Sequence, residues 1–252
     1  MDVVLLGTSS PYPRPGNPCS SLLVRSGTTT LWVDAGSGTL AALLGHCRLE
    51  DLGGLWVSHT HADHFSDLAV TYYALRYADV HRAPLPVLGP PGWVERLRSF
   101  VTHSADPSPL ESVFEVHEVS GSTEHPLGDL VLRSRDVFHG AGVAALGLRV
   151  EDAHGSLGFT GDSAPCDGLR ELVSGVDVLV SEAGYGTNGP GPDVEPVHMT
   201  AAQAGALAVE ARARTLVLTH LADGHPRDCL HDARLAGARE VVVAHPGTAL
   251  RA

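Results

Sequence analysis

Cysteine pairs and long apolar runs are missing from this chain. The four cysteines are scattered and form no Cys-x-x-Cys pair, which argues against a thiolate zinc site and against a disulfide framework. No apolar stretch approaches the roughly 20 residues that cross a bilayer. The N-terminus also has no basic region followed by a long apolar one. We therefore expect no membrane span and no signal peptide, and we predict a cytoplasmic protein.

Basic residues are also few. The chain has 17 basic and 29 acidic residues, for a formal net charge of −12, whereas nucleic-acid binders usually carry a basic face that neutralises phosphates. This balance counts against a large RNA substrate, although a local basic patch can lie within an acidic total. A small anion attracted to metal ions is compatible with an acidic surface. The 252 residues, 43% of them hydrophobic, suffice for one sizeable core, so we predict a single domain over residues 1–252.

The most informative stretch that is present is His-x-His-x-Asp-His at residues 59–64, just after a short apolar run. Neutral imidazole and carboxylate are ligands that Zn²⁺ and related first-row divalent ions accept. In an extended segment His59 and His61 fall on the same side. The chain must then bend so that Asp63 and His64 face a second position. One segment therefore suits two metal ions.

Three downstream residues add candidate ligands. His139, Asp162 and His220 each follow an apolar run, as ligands at the edge of a sheet should. Any one of them alone is more typical of an ordinary loop. Together and in this order, after the histidine motif, they resemble the five-motif pattern of the metallo-β-lactamase superfamily.

The resemblance spans nearly the whole chain and narrows to one branch. Residues 3–11 resemble the first strand and loop of the ribonuclease Z-like branch, and residues 31–39 resemble its first acidic motif. Glu182 in Ser-Glu-Ala and His198 in Val-His-Met-Thr resemble an acidic and a histidine motif that glyoxalase II-type thioesterases and true β-lactamases lack. Within the branch, the short ungapped layout is most similar to small bacterial phosphodiesterases, including some that open cyclic nucleotides.

Alternating apolar runs and turn residues predict mixed strands with helices between them, which implies sheets covered by helices on their outer faces. The predicted strands are residues 3–7, 21–25, 30–34, 55–59, 86–89, 114–119, 130–137, 144–150, 157–160, 176–181, 215–219 and 240–244. The predicted helices are residues 38–44, 66–78, 91–103, 167–173, 200–213 and 226–236. The family resemblance implies an α/β fold of one kind, the four-layer αβ/βα metallo-β-lactamase sandwich, with the metals in the cleft between the sheet edges.

The same resemblance implies a ligand set for two divalent ions. One ion would be held by His59, His61 and His139, the other by Asp63, His64 and His220, and Asp162 would bridge them. Zn²⁺ is the default for such ligands, and Mn²⁺ fits as well. Two such ions can lower the pKa of a shared water from roughly 15.7 towards about 7 and so supply a hydroxide nucleophile.

A leaving alkoxide also needs a proton. His198 is the candidate donor because imidazole titrates near neutral pH, and Glu182 is expected to orient and charge it. With the ligand Asp63, these two residues form the predicted catalytic set. Asp34, at a strand end, is expected to fix a ligand histidine rather than to bind metal.

Several functions stay open at this point. The leading one is hydrolysis of a small phosphodiester, with a cyclic nucleotide as first candidate. The second is transfer-RNA 3′ processing, the best-known activity of the branch. Many bacterial members carry a long basic arm after the histidine equivalent to His139, and the single hairpin predicted between His139 and Asp162 leaves no room for it. The third is hydrolysis of a thioester, lactone or lactam. A metal-binding protein without activity is the non-enzyme alternative, which the intact ligand set disfavours.

The expected partner is a small-molecule phosphodiester, with large RNA disfavoured, no membrane, and a homodimer left open. Tyr73 and Tyr77 lie four residues apart on a predicted helix, where they share a face. Core packing is the favoured interpretation for this pair, and stacking on a nucleobase is the alternative. Tyr185 and Trp93 are further stacking candidates. The Gly/Pro-rich residues 184–193 form either a mobile connection or a cover over the cleft.

Overall fold

The computed structural model describes residues 1–221 and 225–252. Within these residues, the strands form two seven-stranded sheets. The first sheet contains β1 (Asp2–Gly7), β2 (Ser21–Ser26), β3 (Thr29–Val33), β4 (Gly54–Trp56), β5 (Leu85–Gly89) and β6 (Phe114–Glu118). The second sheet contains β7 (Thr123–Leu127), β8 (Leu130–Asp136), β9 (Leu146–Glu151), β10 (Ser156–Phe159), β11 (Val178–Glu182), β12 (Thr215–Thr219) and β13 (Glu240–Val243). The last strand, β14 (Ala249–Arg251), returns to the first sheet and pairs with β1.

Helices cover the outer face of each sheet. The first sheet carries α1 (Thr39–Leu44), α2 (Ala62–Phe65), α3 (Asp67–Tyr77) and α4 (Trp93–Val101). The second sheet carries α5 (Asp167–Val173), α6 (Ala201–Glu210) and α7 (Pro226–Leu235). Two 3₁₀ turns, Leu49–Asp51 and Leu110–Ser112, complete the helical elements of the described ranges. None of these helices is long and apolar enough to span a membrane.

The inner faces of the two sheets share one hydrophobic core. Trp56 of the first sheet meets Phe159 of the second edge to face, with ring centroids 6.3 Å apart. The Trp56 indole N–H also donates to Ser134 Oγ of β8 at 2.8 Å, so this buried donor is satisfied across the sheets. Helix, sheet, sheet and helix thus stack in four layers, and the predicted αβ/βα sandwich is confirmed.

Sheet direction brings the ligand-bearing loops together. Strand β4 runs parallel to β3 and β5. In the second sheet β10, β11 and β12 are parallel, and β8 runs in the same direction because both β8 and β10 are antiparallel to β9. The carboxyl ends of β8, β10 and β12 therefore lie at one edge of the second sheet. The loops that follow them meet the loop after β4, because His220 contacts Asp63 and Asp162 contacts His64.

Every predicted strand and helix has a counterpart; the strand at residues 215–219 and the helix at residues 167–173 have the predicted ends, and the others are shifted. The largest functional shift is at the strand predicted for residues 55–59, which ends at Trp56. The reason is Asp34, whose Oδ1 accepts a 2.7 Å hydrogen bond from the Ser58 amide and takes that N–H out of the sheet ladder. His59 therefore lies in a turn rather than in a strand, and His61 precedes α2, a helix that the sequence did not predict.

Candidate metal centre

Three histidines form the first group of candidate ligands. His59 Nε2 lies 3.0 Å from His61 Nδ1, and His139 Nε2 lies 3.1 Å from that same His61 nitrogen. Burial, helped by the neighbouring His64, lowers the pKa of His59 well below its ordinary value. Burial also lowers the pKa of His61, with His139 adding to the effect. Neutral imidazole nitrogens that converge on one point offer lone pairs to a divalent cation.

The second group joins buried carboxylates and imidazoles. It consists of Asp63, His64, Asp162 and His220. His220 Nε2 lies 3.3 Å from Asp63 Oδ2 and 3.1 Å from Asp162 Oδ2. Burial by itself lowers the pKa of His220, but the charge of Asp162 and hydrogen bonds to both carboxylates outweigh it and raise the pKa to about 10. Burial also lowers the pKa of His64, but Asp162 and Asp34 outweigh it and raise the pKa well above its ordinary value.

Asp162 lies between the two groups. Its Oδ2 is 3.9 Å from His59 Nε2 and 3.8 Å from His139 Nε2, in addition to its contact with His220. Burial raises the pKa of Asp162, but His220 and His64 outweigh it and hold the pKa well below its usual range. The chain reaches this position through Gly161, which adopts a left-handed φ of 56°. A Cβ atom there would approach the Leu146 carbonyl oxygen to 2.7 Å, so the turn requires glycine.

Three atoms of the second group lack hydrogen bonds. Among the described residues, His64 Nε2, Asp162 Oδ1 and His220 Nδ1 are buried and have no hydrogen-bond partner, although the first two lie 3.3 Å apart. Buried polar atoms in folded proteins are nearly always satisfied. Nitrogen and carboxylate donors left open in this way fit a first-row divalent cation. The structure therefore brings together all seven residues that the sequence predicted as ligands, in two neighbouring groups with Asp162 of the second group beside the first.

Backbone strain marks both strand ends beside the centre. Asp34 and His220 have positive φ angles of 56° and 55°, a conformation that non-glycine residues rarely adopt. Asp34 follows β3, and its Oδ2 lies 2.7 Å from His64 Nδ1, which is the contact expected of a residue that fixes a ligand histidine. Gly36, two residues later, passes so close to the chain that a Cβ would lie 2.0 Å from the Asp63 carbonyl oxygen.

Glu182 and His198 meet beside the two groups. His198 Nδ1 lies 3.0 Å from Glu182 Oε1 and 3.9 Å from Asp162 Oδ2. Glu182 is buried at the end of β11, where it accepts hydrogen bonds from the amides of Ser163 at 2.9 Å and Gly184 at 2.6 Å. Burial lowers the pKa of the half-buried His198, but the hydrogen bond and charge of Glu182 outweigh it and raise the pKa. The two side chains thus form a fixed pair beside the metal groups.

A comparison with known proteins places this geometry in a family. The family model described as "Beta-lactamase superfamily domain" matches residues 29–221. The chain belongs to the metallo-β-lactamase superfamily. A ribonuclease Z of Mycobacterium bovis (strain BCG / Pasteur 1173P2) is 32% identical over 245 residues, covering 87% of this chain and 85% of that protein. An uncharacterized protein of Mycobacterium tuberculosis (strain ATCC 25618 / H37Rv) is 34% identical over 225 residues, covering 87% of this chain and 80% of that protein.

Solved structures agree with this membership of the metallo-β-lactamase superfamily. The metallo-beta-lactamase fold protein YhfI from Bacillus subtilis superposes with a TM-score of 0.86 at 25% identity, covering 99% of both chains. The short form of human tRNase Z superposes with a TM-score of 0.78 at 23% identity, covering 100% of this chain and 99% of that one. The resemblance to the ribonuclease Z-like branch of the superfamily is confirmed.

Three polar groups near the centre of this superfamily member were not found from sequence. Ser10 Oγ donates to Asp63 Oδ2 at 3.1 Å. His139 Nδ1 lies 2.9 Å from the carbonyl oxygen of Val197, whose amide donates to the Tyr185 hydroxyl at 3.1 Å. Ser58 contacts His59 at 3.0 Å. Two are common serines and one is a backbone carbonyl, so residue type alone does not reveal them.

The predicted stacking residues separate in the structure. Trp93 is fully buried and donates to the His117 carbonyl oxygen at 3.1 Å, so the prediction of a base-stacking surface there is wrong. Tyr73 and Tyr77 share a face as predicted, with stacked rings 6.0 Å apart. Tyr73 packs against the core, but Tyr77 is 69% exposed, which corrects core packing for that residue. The ring of Tyr185 lies 5.4 Å from that of His198, at the candidate site.

Proposed function

We propose that this chain, a metal-dependent hydrolase by its family and its ligand cluster, cleaves a small phosphodiester, with a cyclic nucleotide as the leading candidate. The proposed ligands are His59, His61 and His139 for one divalent ion, Asp63, His64 and His220 for the other, and Asp162 for both. The donor set fits Zn²⁺ first and Mn²⁺ as well. When bound, two such ions lower the pKa of a shared water and offset charge on the phosphoryl oxygens.

The observation that carries the proposal is the Glu182–His198 pair. The carboxylate at 3.0 Å engages His198 Nδ1, which leaves Nε2 as the atom that can give a proton to the departing oxygen. The alkoxide released from a sugar phosphodiester is strongly basic, so a general acid accelerates its departure. Glu182 supports the protonated form of the imidazole, and Asp63 completes the proposed catalytic set. A fixed donor of this kind favours a phosphodiester over a thioester or lactone.

Charge and topology favour a small substrate. The net charge of −12 gives little attraction for the many phosphates of a transfer RNA. Between His139 and Asp162 the chain forms only the β9–β10 hairpin, closed by a turn in which the Asp152 amide donates to the Gly155 carbonyl oxygen at 3.1 Å. A long basic arm is therefore missing from this connection, all of which lies within the described residues.

Transfer-RNA 3′ processing is the second candidate, because relatives at 32% to 33% identity are named ribonuclease Z. One metal-loaded preparation should be assayed for kcat/KM on 3′,5′-cyclic AMP and on a transfer-RNA precursor, before and after chelation. We expect chelator-sensitive hydrolysis of the cyclic nucleotide and little processing of the RNA. Efficient cleavage at the RNA 3′ end with negligible cyclic-nucleotide hydrolysis would establish the endonuclease instead. Activity on neither would reopen the thioester and lactone alternatives. A cytoplasmic location stays a prediction.

A further inference from the structure

One serine connects the two candidate metal groups. Ser58 is fully buried, and its hydroxyl oxygen lies 3.0 Å from His59 Nδ1 and 2.8 Å from Asp34 Oδ2. The same carboxylate oxygen lies 2.7 Å from His64 Nδ1. His59 belongs to the first group of candidate ligands and His64 to the second. One carboxylate, assisted by one hydroxyl, therefore reaches a ligand in each group.

The number of protons sets the direction of these bonds. An ionised carboxylate only accepts hydrogen bonds, so Ser58 donates its single hydroxyl proton to Asp34 Oδ2. The Ser58 oxygen can then only accept, and His59 must carry its proton on Nδ1. His64 likewise donates from Nδ1 to Asp34. A metal ion on Nε2 would take the place of the proton there, so each ring would carry its one N–H on Nδ1 and offer the Nε2 lone pair to the ion.

We propose that Ser58 is a positioning residue that extends the orienting effect of Asp34 from His64 to His59. Asp34 then sets the tautomer and ring orientation of one ligand in each metal group, directly for His64 and through Ser58 for His59. The inference rests on the proposed metal centre and adds a division of labour within it. Loss of the hydrogen bond behind a ligand histidine typically weakens metal binding by about 10- to 100-fold.

Two substitutions separate the direct effect of Asp34 on His64 from its effect on His59 through Ser58. Ser58→Ala removes one oxygen atom and leaves the contact between Asp34 and His64 in place. Asp34→Asn keeps the size of the side chain, and asparagine tolerates the left-handed φ of 56° at this position. Its amide nitrogen, placed where Oδ2 was, would face the protons of both Ser58 and His64. Ser58→Ala should therefore disturb one group and Asp34→Asn both.

An internal reference and a control are available. His139 Nδ1 lies 2.9 Å from the carbonyl oxygen of Val197, outside this network, so its N–H should be unaffected by either change. Ser21→Ala is the matched control, because Ser21 is also buried and its hydroxyl accepts a 2.8 Å hydrogen bond from Trp32 Nε1 in the core. It removes a buried serine hydroxyl without touching a candidate ligand.

The test combines zinc affinity, measured by competition with a chromophoric chelator, with NMR of the imidazole N–H groups in zinc-loaded protein. We expect Ser58→Ala to weaken the binding of one of two zinc ions by about 10- to 100-fold and to shift or remove the His59 Nδ1–H signal. The His64 signal should change much less, because His64 Nδ1 lies 3.4 Å from Ser58 Oγ but only 2.7 Å from Asp34 Oδ2. Asp34→Asn should weaken the binding of both zinc ions and change the N–H signals of His59 and His64. Ser21→Ala should change neither measurement.

The outcomes distinguish the inference from the proposed function. An unchanged His59 signal in Ser58→Ala, or an Asp34→Asn variant that weakens only one ion, would overturn the relay while leaving a two-zinc wild type intact. A wild-type chain that binds no zinc would overturn the metal centre itself and the relay with it. If Asp34→Asn fails to fold, the imidazole N–H signals of Ser58→Ala still test whether Ser58 positions His59.

Discussion

At the scale of single residues, Asp162 should have the largest effect on metal content, because it is the only predicted ligand assigned to both ions. Asp162→Ala should reduce the content from about two ions per chain to less than one and abolish turnover. Elemental analysis of purified protein measures this directly. Asp106→Ala, at an exposed carboxylate in a loop, is the control and should retain full metal content. A fully loaded Asp162→Ala protein would contradict the bridging role.

His198 gives the second residue-scale prediction. If it protonates the leaving group, His198→Ala should slow hydrolysis of substrates with poor leaving groups by about 10²- to 10⁴-fold, with metal content unchanged. An activated aryl phosphodiester, whose leaving group needs little protonation, should lose much less. His154→Ala, at an exposed histidine, should leave both rates alone. Equal losses on the two substrates would assign His198 another role.

The sequence predicted the residues whose chemistry is distinctive and missed those whose role depends on distance. The imidazoles and carboxylates at strand ends stand out because few other residue types bind divalent ions, and the structure brings all seven together. Ser10 and Ser58 are ordinary residues, and the acceptor for His139 is the backbone carbonyl of Val197. Only the folded arrangement shows that these groups touch the ligands.

At the scale of secondary-structure elements, the start of α6 is fixed by a reciprocal cap. The Gln203 amide donates to Thr200 Oγ1 at 3.2 Å, and the Thr200 amide donates to Gln203 Oε1 at 2.8 Å. Thr200→Ala should cost about 0.5–2 kcal/mol of unfolding free energy, measured by denaturant titration. Thr187→Ala, at an exposed loop threonine, should cost nothing measurable. An unchanged midpoint for Thr200→Ala would show that the cap is dispensable.

The elements that sequence patterns did not predict are short or polar. Strand β7 lies at the edge of the second sheet, contains Pro126 and has exposed residues at alternate positions. A proline within a segment weakens the prediction that the segment is a strand. Strand β14 has three residues and depends on pairing with β1 at the other end of the chain. Helix α2 has four residues, three of them within the ligand motif at residues 59–64. Each forms through contacts that local periodicity does not contain.

At the scale of the whole molecule, Asp152 connects the sheets and should make stability depend on acidity. Burial raises its pKa, but hydrogen bonds from Ser26 Oγ at 2.7 Å and from the amides of His154 and Gly155 outweigh it and hold the pKa below the ordinary value of 3.8. Because the folded-state pKa is lowered, this stabilisation is present above about pH 4 and is lost as pH falls further.

Asp152→Asn should therefore lower the Tm near neutral pH, and the difference from wild type should shrink below about pH 4. Thermal unfolding at a series of pH values measures this. Asp193→Asn, at an exposed loop position, should follow the wild-type curve. A Tm difference that stays constant down to strongly acidic pH would mean that the hydrogen bonds, rather than the charge of Asp152, provide the stabilisation.

The candidate ligands come from both halves of the sandwich. His59, His61, Asp63 and His64 follow a strand of the first sheet, whereas His139, Asp162 and His220 follow strands of the second. Each proposed ion draws on both halves, so neither sheet alone can complete a site. A bound ion would link the two halves and add about 2.7 kcal/mol to the free energy of unfolding when free metal is 100 times Kd. Chelation should therefore lower the Tm. The metal content of a preparation would then measure the fraction of correctly folded chains, because a misfolded chain would have no complete site that could bind metal.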